Sequence, residues 1–579
     1  MNRTLISNVL VIGSGAAGLR AAIAAHEAGY DVLVLGKRLR KDAHTVLAAG
    51  GINAALGNVD PEDSWEAHFL DTFHEGYRLP DPGMVEILVK ESPEAILELA
   101  DWGCRFNRTA DGKLDQRYFG AHRFRRTCYA GDFTGREIIH TLDRRAAMLG
   151  IPIMEGQYVS HLFVEDGVCF GALAFDMDSG ERMTYYADAV VLATGGHTRI
   201  WRRSTSRRDE NTGDGMYLAL RAGCSLIDME FVQFHPTGMV APAELAGTLV
   251  TEAVRGEGGR LFNKDNERFM ERYDPEHMEL STRDRVALAI YTEIMEGRAG
   301  PDGGVFLDIS HRDREFIRAK IPRIYRQFLE AQMLDISKQP MEVAPSAHYS
   351  MGGVLVKPES GATEVEGLYA VGEVTGGLHG ANRLGGNSLS ETVVFGRRAG
   401  VAAADHSRTI HRQMRSPVAV SAANEELDSM IHEGEELPRL LQRALRDALW
   451  ELCGVVRSEE RLQRGLEKVA ELRARSADLD LQPGSENYRD LGVALDLRSS
   501  LAVAEVTLRA ALERKESRGA HQRQDFPETD EAFTLNITVS QNQKGDFSIQ
   551  SRPVPAVLES LAHRLEESPE YDQKGRLLE

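Results

Sequence analysis

The feature that most restricts the fold is a glycine hexapeptide, Gly13-Ser14-Gly15-Ala16-Ala17-Gly18, set between two strongly patterned segments. Before it runs NVLVIG, residues 8–13, short and β-branched as a buried parallel strand requires. After it come LRAAIAAHEAG, with helical periodicity, and a second strand-like run, DVLVLG, from Asp31. Strand, glycine turn, helix and strand in this order predict a Rossmann-like unit. Gly13 permits the tight turn, Gly15 lets backbone approach a pyrophosphate, and Gly18 lets helix and strand pack closely. The helix N-terminus then faces the anion. The acidic residue that ordinarily ends the second strand and holds a ribose is missing. The chain reads Leu35-Gly36-Lys37 there, which argues against a simple NAD enzyme. A late strand-like run, GLYAV at residues 367–371, ends at Gly372-Glu373 and offers Glu373 for a cofactor hydroxyl. A solvated strand-end glutamate is the competing reading.

Further along, DAVVLAT (residues 188–194) reads as a buried strand ending in Gly195-Gly196, and MYLALRAG follows a turn at residues 212–215 as a helix. Residues 388–404 read as another helix, and residues 425–519 are charged and helical, with LPRLLQRALRDALWELC as the clearest face. Near the end, FTLNITVS and DFSIQS predict a strand pair turning at residues 542–545. The expected architecture is α/β. A Rossmann-like cofactor domain (residues 1–240 and 346–415) is interrupted by an α+β insert (241–345) and followed by a helical domain (425–525) and a tail (526–579).

Composition excludes several classes. Lys plus Arg number 68 against 88 Asp plus Glu, a net charge of −20, which argues against a protein that neutralises nucleic-acid phosphate. No apolar run reaches the roughly 18 residues of a membrane-spanning helix. The strand-like stretch starts so early that no cleaved presequence is expected, which predicts a cytoplasmic protein. The five cysteines, Cys104, Cys128, Cys169, Cys224 and Cys453, are scattered and form no CxxC. That fits free thiols and argues against an iron–sulfur cluster or c-type haem carried by this chain.

Six strings then occur in a fixed order: Ala43-His44-Thr45-Val46 before Ala49-Gly50-Gly51; Phe234-His235-Pro236-Thr237-Gly238; Thr251-Glu252 before Arg255-Gly256-Glu257-Gly258-Gly259; Thr282-Arg283-Asp284; Ala347-His348-Tyr349 before Met351-Gly352-Gly353; and His379-Gly380-Ala381-Asn382-Arg383-Leu384. In this order they resemble the flavoprotein subunit of succinate dehydrogenase and fumarate reductase, over residues 8–527. L-aspartate oxidase is a relative sharing most of them. The resemblance implies an FAD-binding domain, a capping domain that closes over the substrate, and a C-terminal helical domain.

It also implies roles. His44 matches the histidine bonded covalently to the flavin, a substituent that raises the flavin potential. His235, Thr237, Thr251, His348 and Arg383 match the set that holds a four-carbon dicarboxylate. Arg383 is suited to a bidentate grip, and twisting one carboxylate out of conjugation would help attack on the double bond. Arg283 matches the proton donor to fumarate, with Glu252 and Arg255 as its relay. Arginine stays protonated in proteins, and a general acid works best near ambient pH. A carbanion-like acceptor is basic enough to use so weak an acid. A salt-bridged Arg–Glu–Arg cluster is the competing reading. Gly13, Gly15, Gly18, Glu373, Asn387 and Ser388 are expected flavin contacts, with backbone donors from Thr45, Gly50 and Gly51. Arg518 and His521, in a motif near the domain junction, are read as structural.

Phe119 stands where aspartate oxidase carries a glutamate for the substrate ammonium. With His44 it favours succinate and fumarate over aspartate, because an amine beside Phe119 would lack its countercharge. With no cluster or haem of its own, the chain is expected to exchange electrons with an iron–sulfur subunit, held at a membrane face by an anchor. L-aspartate oxidase is the alternative enzyme, and a non-catalytic flavin-binding or assembly protein is the alternative from another class.

Overall fold

The computed structural model describes residues 3–482, 488–542 and 544–567. Its centre is a twisted sheet whose parallel part runs Ile153–Glu155, Val32–Gly36, Arg3–Ile12, Arg182–Leu192. The last of these strands is shared along its other edge. Its first half pairs antiparallel with Val168–Asp176, which continues to Gln157–Glu165, and its second half pairs parallel with Leu368–Ala370. The β-branched runs read from sequence all lie in this parallel part.

Register places the functional edge. Ile12 is level with both Leu35 and Leu192, and Leu192 is level with Ala370. Four parallel strands therefore end together, and the loops after them open on one side. In doubly wound sheets that is where ligands bind.

Strand residues alternate between two cores. Val9, Val11, Val32 and Val34 pack with helices Ala16–Glu27 and Asn387–Thr409. Leu10, Ile12, Leu33 and Leu35 pack on the side of Asp214–Ala222 and Arg489–Glu513. A third core fills the insert. There an antiparallel sheet of Val232–Met239, Met341–Ser350, Val305–Asp308 and Arg260–Phe262 is backed by helices Arg283–Met295 and Pro322–Gln332. The boundary expected between residues 345 and 346 falls inside the strand Met341–Ser350, so insert and body share a continuous strand.

The charged C-terminal stretch forms Pro438–Leu452, Glu459–Arg475 and Arg489–Glu513. On the first of these Leu441, Leu445 and Leu449 are buried at helical spacing. The expected strand pair is Leu535–Gln541 with Phe547–Pro553, although residue 543 of its turn and the tail residues 568–579 lie outside the described residues. This hairpin is no free tail. Leu535–Gln541 adds to Leu226–Ile227, which pairs in turn with Gly353–Val354.

Candidate active site

One continuous cleft runs from the level strand ends to the inserted sheet. At its nucleotide end stands the glycine loop. Gly13 takes φ +119°, and a Cβ there would fall 2.1 Å from Ala193 O. A Cβ at Gly18 would fall 1.9 Å from Gly13 O. Both glycines serve chain packing, and Gly18 lies off the cleft surface. Gly15 differs, for a Cβ there would meet only Thr45 Oγ1, at 3.5 Å. Its open side is the cleft. The helix Ala16–Glu27 has no acid in its first turn and only Ala16 N–H met by a side chain, Thr45 Oγ1 at 3.3 Å, so its positive dipole end is left for an anion. Thr194 lines the cleft, and its Oγ1 is buried beside Gly215 with no hydrogen-bond partner among the described residues.

Lys37, in place of the usual ribose acid, is itself neutralised. Its Nζ lies 2.6 Å from Asp496 and 3.3 Å from Asp214. Glu373 reaches the cleft from the turn after Leu368–Ala370 and accepts from Ser350 N–H at 3.1 Å. Burial raises its pKa above the ordinary carboxylate value. His44, Thr45, Gly50, Gly51, Phe119 and Ser388 line the middle of the cleft. His44 Nδ1 lies 2.9 Å from Glu210 Oε1. Burial pulls the imidazole pKa down, but the Glu210 carboxylate outweighs it and holds the ring above its usual value.

The far end is built by three elements. The strand Val232–Met239 carries Gln233 and His235, and Met341–Ser350 carries His348. Gln233 pairs with Tyr349 while Phe234 pairs with Ala347, leaving His348 as a bulged extra residue, which re-aims its side chain. The two imidazoles meet edge-on, with centroids 5.2 Å apart. The first turn of Arg283–Met295 carries Arg283, whose Nε donates to Glu252 Oε2 at 2.9 Å. Arg383 comes from the loop before Asn387–Thr409. It donates to Ser388 Oγ at 2.7 Å and lies 4.2 Å from the Tyr349 ring centroid. One neutral oxygen, Gln233 Oε1, accepts from both guanidiniums, at 3.1 Å from Arg283 and 2.9 Å from Arg383.

The electrostatics follow from this crowding. Burial would raise the Glu252 carboxyl, but Arg283 and Arg255 hold it far below the usual range, so it is ionised. Burial, with Arg283 and Arg255 alongside, holds His235 well below its usual value. Burial, His235 and Arg383 do the same to His348. Burial and the neighbouring Arg283 lower Arg383 to about 10, which leaves it charged at neutral pH. Arg283 and Arg255 therefore flank the ionised Glu252, Arg383 stands beside Arg283, and the two imidazoles nearby are neutral. That set suits a ligand with two negative charges.

Besides Gly18, three expected contacts sit behind the wall. Thr237 lies off the cleft surface and spends its hydroxyl proton on Val250 O, at 2.8 Å, because the strand is irregular there. Asn387 is likewise turned inward, bonded to His68, Asn53 and Thr72. Arg255 is buried behind Glu252, at 3.8 Å, and bonds Glu279 O. Thr251 is on the cleft surface. Gln233 and Glu210 are additional to the expected set. Gln233 was readable, since it lies two residues before His235 on one strand and so shares its face. Glu210 stands in no motif and had no local signal.

A family model for an FAD binding domain matches residues 8–389, and a fumarate reductase flavoprotein C-terminal model matches residues 442–565. The chain is also 44% identical over 542 residues to a fumarate reductase (CoM/CoB) subunit from Methanothermobacter marburgensis, covering 93% of this chain and 98% of that one. The chain belongs to the succinate dehydrogenase and fumarate reductase flavoprotein family. Within that family it is 38% identical to the succinate dehydrogenase flavoprotein subunit of Rickettsia conorii, over 94% of this chain and 95% of that one. A quinol fumarate reductase chain of E. coli superposes with a TM-score of 0.91 at 35% identity, covering 96% of this chain and 98% of that one. The flavoprotein is thus an FAD-dependent oxidoreductase. Its cleft fits the cofactor: a helix end free of acids and the open side of Gly15 suit a pyrophosphate, and Glu373 is a polar group on the cleft wall suited to a hydroxyl.

Proposed function

We propose that this flavoprotein interconverts succinate and fumarate and exchanges the electrons with an iron–sulfur partner. The observation that carries this reading is the pair of arginines, Arg283 and Arg383, set on one amide oxygen beside the ionised Glu252. Arg383 grips one carboxylate of the dianion with its planar fork. His235, His348 and Thr251 hydrogen-bond the other. Phe119, 8% exposed, with the Arg117 and Arg283 guanidiniums at 5.8 and 6.0 Å and the His122 ring at 6.3 Å from its ring, keeps the middle of the substrate dry. Bound FAD would supply the two-electron chemistry, hydride transfer at N5. Arg283 delivers or removes the proton at the neighbouring carbon, and Glu252 restores it, being 2.9 Å from Nε. Arg255 keeps Glu252 ionised. Glu373, Ser388 and the backbone at Thr45, Gly50 and Gly51 are the further FAD contacts we assign.

His44 is the proposed covalent tether. Its Nδ1 is taken by Glu210, and Nε2 has no hydrogen-bond partner among the described residues. The electron partner is a proposal on two grounds. No cluster of three or more metal-binding side chains occurs among the described residues, and relatives carry names pointing to different partners, quinol in one and CoM/CoB in another. No described helix is long and apolar enough to cross a membrane; the location we propose, on family grounds, is the cytoplasmic face of a membrane, held there by partner subunits.

The test is anaerobic. Succinate added to the oxidised holoprotein should bleach the flavin absorbance, and L-aspartate should not. Bleaching by aspartate alone would overturn the reading and favour the oxidase. Native protein isolated alone, yet fully active with soluble electron donors, would overturn the partner.

A further inference from the structure

Glu210 is not among the residues the reaction above uses, yet its placement is specific. It is 8% exposed and lies on the cleft wall. Oε1 accepts the Arg207 N–H at 2.7 Å and meets His44 Nδ1 at 2.9 Å. Oε2 is buried with no partner. The Arg207 side chain bonds Asp42 O, on the segment leading into His44. A carboxylate is thus locked onto one nitrogen of the residue proposed to carry the flavin.

We propose that Glu210 is the positioning residue for flavin attachment: it fixes the proton on His44 Nδ1 and so presents Nε2, lone pair outward, to the flavin 8α-methyl carbon. The inference rests on the tether reading and goes beyond it. The bond made is C–N, from Nε2 to the 8α-carbon, and the bond broken is one C–H of that methyl. The methyl proton is lost, its electron pair enters the ring system, and the flavin ends two electrons reduced. The alkylated imidazole is at first cationic, with its proton still on Nδ1. Glu210 stabilises that cation and accepts the proton. Fumarate, an unsaturated dicarboxylate that binds the same cleft, removes the two electrons and two protons as succinate, leaving oxidised, tethered flavin.

The physical ground is charge placement. A buried anion within hydrogen-bond distance of one ring nitrogen favours any state in which the ring is positive. Protonation and alkylation at Nε2 both make it so. The same carboxylate that raises His44 basicity therefore lowers the barrier to alkylation. An amide in its place keeps the hydrogen bond and removes the charge.

The experiment uses apoprotein of the full chain, reconstituted with FAD and fumarate, with covalent flavin read as fluorescence in the denatured polypeptide. Total FAD is read separately from native absorbance. Wild type should tether. Glu210→Gln should bind FAD yet tether slower by on the order of 100-fold, the scale of general-base effects. Glu210→Asp, which restores the charge, should recover most of the rate. Equal tethering rates in wild type and Glu210→Gln would overturn the role of Glu210 while leaving the tether intact. Wild type that binds FAD and never tethers would overturn the tether itself, and this inference with it. Should Glu210→Gln fail to hold FAD, the Asp variant decides: a rate equal to that of an Ala variant at this position would overturn the proposal.

Discussion

Two buried arginine–carboxylate clusters can be compared in this molecule, and they are made of the same parts. At the junction of body and helical domain, Arg514 reaches Glu230 at 2.7 Å, Glu516 at 2.9 Å, and the carbonyls of Phe533 and Leu535 at 2.9 and 2.8 Å. Arg518 closes on both oxygens of Glu516, at 2.8 and 3.0 Å. In the cleft, Arg283 and Arg383 instead share one neutral amide oxygen, and Arg383 Nε is buried with no partner. The difference is saturation. A guanidinium that makes four hydrogen bonds to fixed acceptors, as Arg514 does, holds chain segments together. One with spare donors beside open space is waiting for an anion. Motif strings mark both clusters alike, and only the geometry separates them.

The comparison predicts opposite failures. The largest effect is expected at the junction: Arg514→Ala leaves Glu230 buried and unpaired, while Glu516 keeps Arg518, a loss of about 3–5 kcal/mol. Chemical denaturation should show it, and activity per folded molecule should be unchanged. Arg283→Ala should do the reverse. Its kcat/KM for fumarate should fall by roughly 10²–10³, the scale of one lost transition-state donor, with the unfolding midpoint near that of wild type. A stability loss at Arg283 as large as that at Arg514 would erase the distinction between the two clusters.

How much of this was legible is uneven, and for physical reasons. Parallel strands buried on both faces leave a continuous β-branched run, so residues 8–13 and 188–194 and the helix after the glycine loop could be read locally. The hairpin of Gln157–Glu165 and Val168–Asp176 was not, and neither was the pairing of Leu535–Gln541 with Leu226–Ile227. Those contacts depend on partners and on burial that no local pattern encodes. At the site, motif order brings the right segments near one another but does not say where each side chain points. His348 is aimed by a bulge, and Thr237 and Asn387 face away through contacts on other elements. Glu210 acquires its meaning only when folding brings it to His44, 166 residues away.

Thr237 and Thr251 sharpen the same contrast between saturated and open groups at a smaller scale. The Thr237 hydroxyl is already spent on Val250 O, so Thr237→Val should lower stability by about 1 kcal/mol and leave KM for fumarate close to wild type. Thr251, on the cleft surface, should show the opposite split when changed to Val: a KM raised by up to roughly tenfold, the worth of one hydrogen bond, with little change in stability. A KM effect confined to Thr237 would return that residue to the substrate set.

The smallest expected effect is a flat pH profile, and it tests what the imidazoles do. Were His235 or His348 ordinary histidines, each would lose a proton between pH 6 and 8, and a dicarboxylate would bind more weakly as pH rose. Burial and the guanidiniums beside them depress both instead, so the neutral ring is present across that window. Glu252 is depressed as well, and for a carboxylate that means it stays ionised as pH falls, giving up its charge only far below neutrality. None of His235, His348 and Glu252 then changes charge between pH 6 and 8. The affinity for an unreactive dicarboxylate such as malonate, read from the flavin difference spectrum, should hold within about twofold, a change of less than half a kcal/mol. A tenfold loss of affinity from pH 6 to 8 would make an imidazolium a carboxylate ligand. The charge on the dianion would then be met by a titrating histidine as well as by Arg283 and Arg383.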